Sequence, residues 1–339
     1  MSKTLIVGVD GGGTETRVLC ADTSGALLSH ASGAGANWNH NREATENVRA
    51  VIALALRRAG ATSGDVACLV AGLAGLDRDE DLARARELTN VADLSATRIH
   101  LNDAEIAWAG AFSLAPGVIV ACGTGSIVWA RTDTGRVLRN YDFNHYARSA
   151  ARHLAYHTLF SLLSADSVAE EARLCAALCA HFGVASLGAL RELAARNTDS
   201  PSPELNRQYG AFAPVITRAA EQGSALAQRV CERAVDDMIT GFLMVSGGFR
   251  EPSTSVALIG SVARSSFIAR TFAHRLAHLR ARHTLVAPAL SPVAGAVLIG
   301  LRELGVGALA EARLAEEPRA RFGAVLTEVA SASAAASAE

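Results

Sequence analysis

Two short apolar runs in this chain each end in a glycine-rich turn, and this repeated feature constrains the fold more than any other. The run Leu5–Val9 is followed by a carboxylate, three glycines and a threonine, and the run Val118–Cys122 is followed by Gly-Thr-Gly-Ser. Glycine bends tightly and leaves no Cβ between its N–H group and an incoming anion. Two such turns predict a nucleotide triphosphate held between two lobes. The predicted phosphate-binding residues are Gly11, Gly12, Gly13 and Thr14 in the first turn, and Gly123, Thr124, Gly125 and Ser126 in the second.

The first turn differs from the common nucleotide-binding motifs. It lacks the Gly-x-x-x-x-Gly-Lys-Ser/Thr spacing of a P-loop, and the strand-like Val18–Cys20 follows it where a dinucleotide-binding turn would open a helix. The turn is therefore expected to join two strands of a hairpin, and a plain hairpin turn remains an alternative for either glycine cluster. Asp10 favours a ligand, because a carboxylate that ends an apolar strand is costly unless it faces a metal, a ligand or water.

The composition is that of an enzyme rather than a nucleic-acid-binding or membrane protein. The 339 residues predict about two domains, and half of them are hydrophobic, which is enough for sizeable cores. Thirty-two Lys and Arg residues balance thirty-three Asp and Glu residues, so no basic excess marks a nucleic-acid or membrane surface. Met1 leads directly into an apolar strand, and we expect a cytoplasmic location. The six scattered cysteines are expected to be buried, reduced thiols.

The order of predicted strands and helices occurs twice. In the first third, three strands are followed by strands that alternate with helices: strands 5–9, 17–21, 26–29, 66–71 and 97–101, and helices 43–59, 79–88 and 104–111. After Pro116 the plan begins again, with strands 118–121, 126–132, 136–139, 256–259 and 285–287, helices within 147–245, and a closing helix 293–304. This order is that of a ribonuclease H-like half-domain, here duplicated.

Five segments, in order, carry a resemblance to a known family. They are a first phosphate motif at Gly8–Thr14, a catalytic-aspartate motif at Asn102–Ala104, a second phosphate motif at Gly123–Ser126, an adenosine motif at Leu258–Val262 and a closing glycine segment at Pro292–Ala296. On these segments the chain resembles N-acetylglucosamine kinase and the wider BadF/BadG group of the actin-like, sugar-kinase and heat-shock-ATPase superfamily.

The resemblance implies a fold and a division into domains. The fold is an α/β, duplicated ribonuclease H-like, actin-like ATPase fold with two lobes and a nucleotide cleft between them. The N-terminal lobe is expected at 1–114 with a C-terminal helix at about 315–339, and the C-terminal lobe with a helical insertion at 115–314. The implied ligands are ATP, Mg²⁺ and a small-molecule sugar or sugar-like acceptor, and a homodimer is the default assembly.

Roles for individual residues follow from phosphoryl-transfer chemistry together with this resemblance. Asp10 suits the shell of a Mg²⁺ ion, which takes one or two carboxylates and keeps several waters. Asp103 suits the base that accepts the proton of the sugar hydroxyl, and the alternative is that it caps the following helix. Gly260 and Ser261 are expected at the adenosine, and Asn102 at the substrate.

The acceptor-binding residues are predicted from a loop after the third strand. In the kinases that this chain resembles, an asparagine and an aromatic residue lie against the sugar at the position of Asn37 and Trp38. Asn37 is therefore expected to bind a sugar hydroxyl, and Trp38 to stack on a ring face. The alternative for Trp38 is that it packs on the adjoining helix.

One segment departs from the family pattern. N-acetylglucosamine kinases carry Gly-Gly-Trp-Gly leading into Gly-Asp-Glu-Gly-Ser, and this chain has no glycine in the aligned segment 139–150. The Asp-Glu pair has become Ala147-Arg148. If a helix begins this early, His145, Arg148 and Arg152 share one face, which favours an anionic acceptor. The alternative is that these cations are a solvated helical face.

Three functions fit these residues. The first is an ATP-dependent sugar kinase with an altered acceptor loop, and the second is a catalytically weak sensor that binds a nucleotide or a sugar. Retention of both phosphate turns and of Asp103 favours the kinase. The third is an iron–sulfur ATPase that activates a dehydratase, which needs paired loop cysteines, and only Cys122 has a suitable position.

Overall fold

The computed structural model describes residues 4–39, 41–165, 169–195 and 202–316, and these form two α/β units. The first unit contains the described residues up to Ile119 together with those from Ala287 onward. The second unit is the continuous stretch Val120–Val286. The first unit is therefore discontinuous in sequence, and the second interrupts it.

The sheet of the first unit has five strands in the order β3-β2-β1-β4-β5. Its strands are β1 (Leu5–Gly11), β2 (Glu15–Asp22), β3 (Leu27–Ala34), β4 (Val66–Leu73) and β5 (Thr97–Asn102). The first three form an antiparallel meander, whereas β4 is parallel to β1 and β5 is parallel to β4. The parallel pairs place the C-terminal ends of β1, β4 and β5 at one edge of the sheet.

Successive side chains of β1 point to opposite faces of the sheet, and both sets include buried apolar residues. Both faces are therefore covered by helices. The helices of the first unit are α1 (Ala44–Arg58), α2 (Leu82–Leu88), α3 (Asp103–Phe112), α11 (Pro292–Glu303) and α12 (Ala308–Glu316). Val7 and Val9 are buried in the same cluster as Ile52 of α1. Ile6, on the opposite face, is buried in a second cluster with Val297 of α11.

The sheet of the second unit repeats this plan. Its strands are β6 (Gly117–Cys122), β7 (Ser126–Arg131), β8 (Val137–Arg139), β9 (Ser255–Ile259) and β10 (Thr284–Leu285), in the order β10-β9-β6-β7-β8. Its helices are α4 (Ala151–Ser164), α5 (Ala172–His181), α6 (Leu187–Ala195), α7 (Pro203–Ala211), α8 (Ala213–Glu221), α9 (Ala225–Ser246) and α10 (Ser266–Ala277). In each sheet, three strands that are consecutive in sequence lie side by side, and two strands from later in the chain follow on the side of the first of them. The predicted duplicated α/β plan is confirmed.

The second unit begins at Val120 and ends at Val286, whereas the second lobe was predicted to span 115–314. The closing helix α11 was expected in the second lobe, which was drawn as 115–314, but it packs within the first unit. The reason is a close backbone approach, because a Cβ added at Gly8 of β1 would lie 2.7 Å from the carbonyl oxygen of Val293. The expected helix at about 315–339 lies outside the described residues, except for the end of α12.

No helix in the described ranges is both long enough and apolar enough to cross a membrane.

The close contact between α3 and α11 requires glycine at position 295. A Cβ added at Gly295 would lie 2.2 Å from the carbonyl oxygen of Ile106 and 2.4 Å from the nitrogen of Gly110. Since both are backbone atoms, Gly295→Ala must separate the helices, and we expect it to lower the free energy of unfolding by about 1–3 kcal/mol in urea denaturation. Gly307→Ala is the matched control, since a Cβ there meets no heavy atom within 4 Å. Equal stability of the two variants would contradict this account of the helix contact.

Candidate functional site

The first glycine turn is the tip of the β1–β2 hairpin, as predicted. The N–H of Gly12 donates to the carbonyl of Glu15 at 2.9 Å, and the N–H of Ala36 donates to the carbonyl of Gly12 at 2.9 Å. A Cβ at Gly35 would lie 2.5 Å from the carbonyl oxygen of Gly13. The segment after β3 therefore packs directly on the turn, and Gly11, Gly12, Gly13 and Thr14 are held in one conformation from that side.

Asp10 lies one residue before the end of β1 and is half-buried. Its Cα pairs with Arg17 on β2 and with Gly72 on β4. The described residues contain no group of three or more His, Cys, Asp and Glu side chains that could hold a metal ion. Asp10 is thus a carboxylate at the predicted end of its strand, next to the first glycine turn.

Asn102 and Asp103 stand at the junction of β5 and α3. Asn102 is the N-cap of α3, since its Oδ1 accepts from the N–H of Ala104 at 2.9 Å. Its amide nitrogen donates to the carbonyl of Leu76 at 3.2 Å and to Oδ1 of Asp77 at 3.1 Å. The alternative prediction that Asp103 caps this helix is wrong, because the neighbouring asparagine does so and Asp103 is the first helical residue.

The environment of Asp103 makes its carboxylate unusually basic. Burial is the largest cause, and the negative charge of Asp77 adds to it, so that the pKa of Asp103 rises from 3.8 to about 6. The backbone N–H groups of Asp103 and Ala104 oppose this shift only in part. At pH 7 the group is therefore mostly ionised, yet it holds a proton far more readily than an ordinary aspartate.

Asn37 and Trp38 lie beside the same loop that contacts Asn102. Oδ1 of Asn37 accepts from the N–H of Asn39 at 2.9 Å, and Trp38 is half-buried against the core under α1. A Cβ at Gly75, which has a φ of 100°, would lie 3.3 Å from Oδ1 of Asn37 and 3.5 Å from Cε2 of Trp38. The segment Gly75–Asp77 therefore lies against the predicted acceptor residues at one end and contacts Asn102 at the other.

The second glycine turn connects β6 to β7 and is tied to the start of α4. The N–H of Gly123 donates to the carbonyl of Gly125 at 2.9 Å, and the N–H of Ala151 donates to the carbonyl of Gly123 at 2.8 Å. Ser126 shares a hydrogen bond of 2.7 Å with the hydroxyl of Ser149. A Cβ added at Gly125 would meet nothing within 4 Å, so this part of the turn is open to a ligand.

The predicted adenosine residues lie beside this second turn. Gly260 has a φ of 88°, and a Cβ there would lie 2.6 Å from the carbonyl oxygen of Cys122. That carbonyl accepts from the N–H groups of Val262 and Ala263, each at 3.1 Å. The nitrogen and Oγ of Ser261 lie 3.9 Å from the position of a Cβ on Gly123. Two motifs that are far apart in sequence therefore form one polar surface.

The segment after β8 differs from the prediction. The helix α4 begins only at Ala151, so His145 and Arg148 precede it and do not share a helical face with Arg152. Asn144, with a φ of 57°, ends the short turn that precedes this segment, and Ala150 has an extended backbone (ψ 154°) as the N-cap of α4. The N–H of His145 donates to the carbonyl of Asn140 at 3.2 Å, and the N–H of Arg148 donates to Oδ2 of Asp237 at 2.8 Å.

Arg152, in contrast, lies at the second glycine turn. Its Nη1 donates to the carbonyl of Thr124 at 3.3 Å. Sequence reasoning assigned it to the acceptor, whereas the structure brings it to a predicted phosphate-binding residue. Asp77 was missed altogether, because it stands in a run of exposed charges with no pattern of its own. His153 and His157 were also missed, although their spacing of four residues beside Arg152 was a usable signal.

Two curated proteins are similar to part of this chain. The N-acetylmuramic acid/N-acetylglucosamine kinase of Clostridium acetobutylicum is 30% identical over 142 residues, which cover 41% of this chain and 46% of that protein. The N-acetyl-D-glucosamine kinase of Dictyostelium discoideum is 29% identical over 138 residues, covering 38% of this chain and 43% of that protein. The matched part thus spans less than half the length of either relative.

A solved structure and a family model extend the comparison to most of the chain. A protein from Chromobacterium violaceum, provisionally named N-acetylglucosamine kinase, has the same fold with a TM-score of 0.68 and 21% identity, covering 88% of this chain and 99% of that one. The model of the BadF/BadG/BcrA/BcrD ATPase family matches residues 7–300. The predicted family is confirmed, and this chain belongs to the BadF/BadG/BcrA/BcrD ATPase family.

Proposed function

We propose that this protein is an ATP-dependent kinase that transfers a phosphoryl group to a hydroxyl of a sugar. The observation that carries the proposal is Asp103, a half-buried carboxylate at the start of α3 whose pKa is raised to about 6. A base with such a pKa is mostly ionised at neutral pH and accepts a proton readily, which is the balance that general base catalysis requires. Membership of an ATPase family supports ATP as the phosphoryl donor.

The residues around the second turn fit the phosphate groups of ATP. The open side of Gly125 leaves room for a phosphate oxygen, with no side chain in the way. We infer that Gly123, Thr124, Gly125 and Ser126 bind phosphate oxygens, and that Gly260 and Ser261 contact the adenosine. The turn at Gly11, Gly12, Gly13 and Thr14 would bind phosphate in the same manner.

Asp10 fits the shell of a Mg²⁺ ion that travels with the nucleotide. Such an ion needs few protein ligands, since phosphates and waters supply the others, so a single strand-end carboxylate suffices. Bound Mg²⁺·ATP supplies a polarised terminal phosphoryl group with its charge partly neutralised. The role of Asp10 would be to fix the position of that complex.

Asp103 would take the proton from the attacking hydroxyl. Its carboxylate is held at the helix start because Asn102 caps α3 and is itself anchored on the loop at Leu76 and Asp77. Asn102 would act by positioning this junction, with its amide already bonded within the protein. Asn37 and Trp38, on the other side of Gly75, would bind the sugar by a hydrogen bond and a ring contact.

Amino sugars are the acceptor class that the named relatives support. Both relatives carry N-acetylglucosamine in their names, and one also carries N-acetylmuramic acid, which has a carboxylate. A screen of neutral amino sugars, sugar acids and sugar phosphates by ADP release tests the class directly. A nucleotide-binding sensor would bind ATP and release no ADP with any of them.

The base assignment predicts the behaviour of Asp103→Asn. The change keeps the size of the side chain but removes the proton acceptor, so turnover should fall about a hundredfold or more, with ATP affinity within about twofold of the parent. Asp79→Asn, an exposed carboxylate nearby, is the control and should keep parental turnover. Transfer at the parental rate by Asp103→Asn would show that another group is the base.

The raised pKa predicts an acid limb in the pH profile of turnover. Protonation of Asp103 removes the base, so the rate should fall about tenfold per pH unit below about pH 6. Because the charge of Asp77 contributes to the upward shift, Asp77→Asn should move this limb to lower pH, and Asp79→Asn should not. A limb at the same pH in all three proteins would contradict the assigned electrostatic cause.

The second turn predicts an effect on nucleotide binding alone. Thr124→Val keeps the shape of the side chain but removes its hydroxyl, and we expect the Kd for ATP with Mg²⁺ to rise about tenfold in calorimetry, the cost of one hydrogen bond to a charged group. Thr240→Val, on the exposed side of α9, is the matched control. An unchanged Kd in Thr124→Val would remove this hydroxyl from the phosphate site.

A further inference from the structure

Five basic side chains gather where the start of α4 meets α9, and we call them the cationic cluster. They are Arg148, Arg152, His153, His157 and Arg233. Nη1 of Arg233 lies 3.4 Å from Nδ1 of His157. Both Arg148 and Arg152 repel the charged form of His153, and both Arg148 and Arg233 repel that of His157. The members therefore act on one another electrostatically although they come from two helices and the loop before the first.

The arginines of the cationic cluster have no carboxylate ion partner in the part of the chain that the structure describes. Among the described residues, the guanidinium of Arg152 donates to the carbonyl of Thr124, and the carboxylate of Asp237 accepts from the backbone N–H of Arg148 rather than from its guanidinium. The adjacent Asp236 is paired with Arg275 at 3.1 Å. Three guanidinium groups and one neighbouring carboxylate leave a local excess of positive charge.

This environment favours the neutral form of both histidines. Burial and then the charges of Arg152, His157 and Arg148 lower the pKa of His153 from 6.5 to about 4, and burial with Arg233 and Arg148 lowers the pKa of His157. Nδ1 of His153 is buried and has no hydrogen-bond partner among the described residues. A buried polar atom without a partner is costly, and a bound ligand would satisfy it.

We propose that the cationic cluster is an oxyanion-binding site that takes a carboxylate or phosphate group. An anion would offset the repulsion among Arg148, Arg152 and Arg233, and guanidinium groups bind such groups through paired hydrogen bonds. The start of α4 adds the positive end of its dipole. This site differs from the glycine turns, because its donors are charged side chains instead of backbone.

The contact between Arg152 and Thr124 joins this site to the second phosphate turn. The bound anion has one of two sources: an acidic substituent on the acceptor or a phosphate of the nucleotide. The choice between these sources rests on the proposed function, whereas the anion site itself does not. The altered loop favours the acceptor, since its Asp-Glu pair has become Ala147-Arg148.

The test is a titration of the full chain with inorganic phosphate, followed by NMR of labelled histidine rings at constant ionic strength set with sodium chloride. His153→Gln and His157→Gln assign the two resonances. We expect a saturable shift of both, and an affinity at least tenfold weaker in the variant that combines Arg148→Gln and Arg233→Gln. Arg270→Gln removes an exposed charge from α10 and should bind phosphate as the parent does.

Binding of equal strength in the parent and in the double variant, or a shift that does not saturate, would overturn the proposal. Arg148→Lys with Arg233→Lys guards against a folding defect, since it keeps both charges and should retain more affinity than the glutamine pair. A protein that releases no ADP with any sugar but still shows the saturable shift would overturn the kinase and leave the anion site standing.

Competition then separates the two sources. Displacement of phosphate by N-acetylmuramic acid, but not by N-acetylglucosamine or ATP, would assign the site to an acidic group on the acceptor. Displacement by ATP alone would assign it to the nucleotide. Phosphate that none of these compounds displaces would overturn a role in binding either one.

Discussion

The close backbone contact between α11 and the pair formed by β1 and α3 is the constraint on which the first unit depends. Glycine at positions 8, 110 and 295 removes the side chains that would hold these elements apart. The helix can then bury Val293 and Val297 against the face of the sheet that carries Ile6. Without that cover, the residues of β1 on this face would be exposed, and the strand that presents Asp10 would lose half of its core.

A second close contact at a glycine sets the geometry around Asp103. Gly72 allows Ile106 of α3 to pack on β4, since a Cβ at Gly72 would lie 2.3 Å from Cγ1 of that isoleucine. The start of α3 is therefore held against the strand ends, and Asn102 fixes it to the next loop. Burial there raises the pKa of the aspartate, so the same packing sets both the position and the pKa of this carboxylate.

Much of this arrangement was predictable from local patterns. Apolar alternation and glycine turns predicted both meanders, and the spacing of the motifs predicted the order of elements in each sheet. The start of α4 was not predictable in this way, because the segment before it is held by long-range bonds, from Ala151 to Gly123 and from Arg148 to Asp237, which is 89 residues away. Charge spacing alone placed His145 and Arg148 on α4, but the helix begins three residues after Arg148, at Ala151.

Long-range partners also explain what was missed at the candidate site. Asp77 acts on Asp103 across a contact between two loops that Asn102 also joins, and Arg233 reaches His157 where α9 packs on α4. Periodicity reports which face of a helix is buried, but it does not report which helix will be its neighbour. The assignment of α11 to the other lobe has the same origin, since the apolar positions of a helix do not show which sheet it will cover.

The interruption of the first unit by the second has a consequence for synthesis of the chain. The stretch Val120–Val286 leaves the ribosome complete, with all five later strands ending by Leu285, whereas the first sheet still lacks α11. Domains generally fold as units during synthesis. The second unit can therefore fold before Val293–Leu301 are available to cover the apolar face around Ile6.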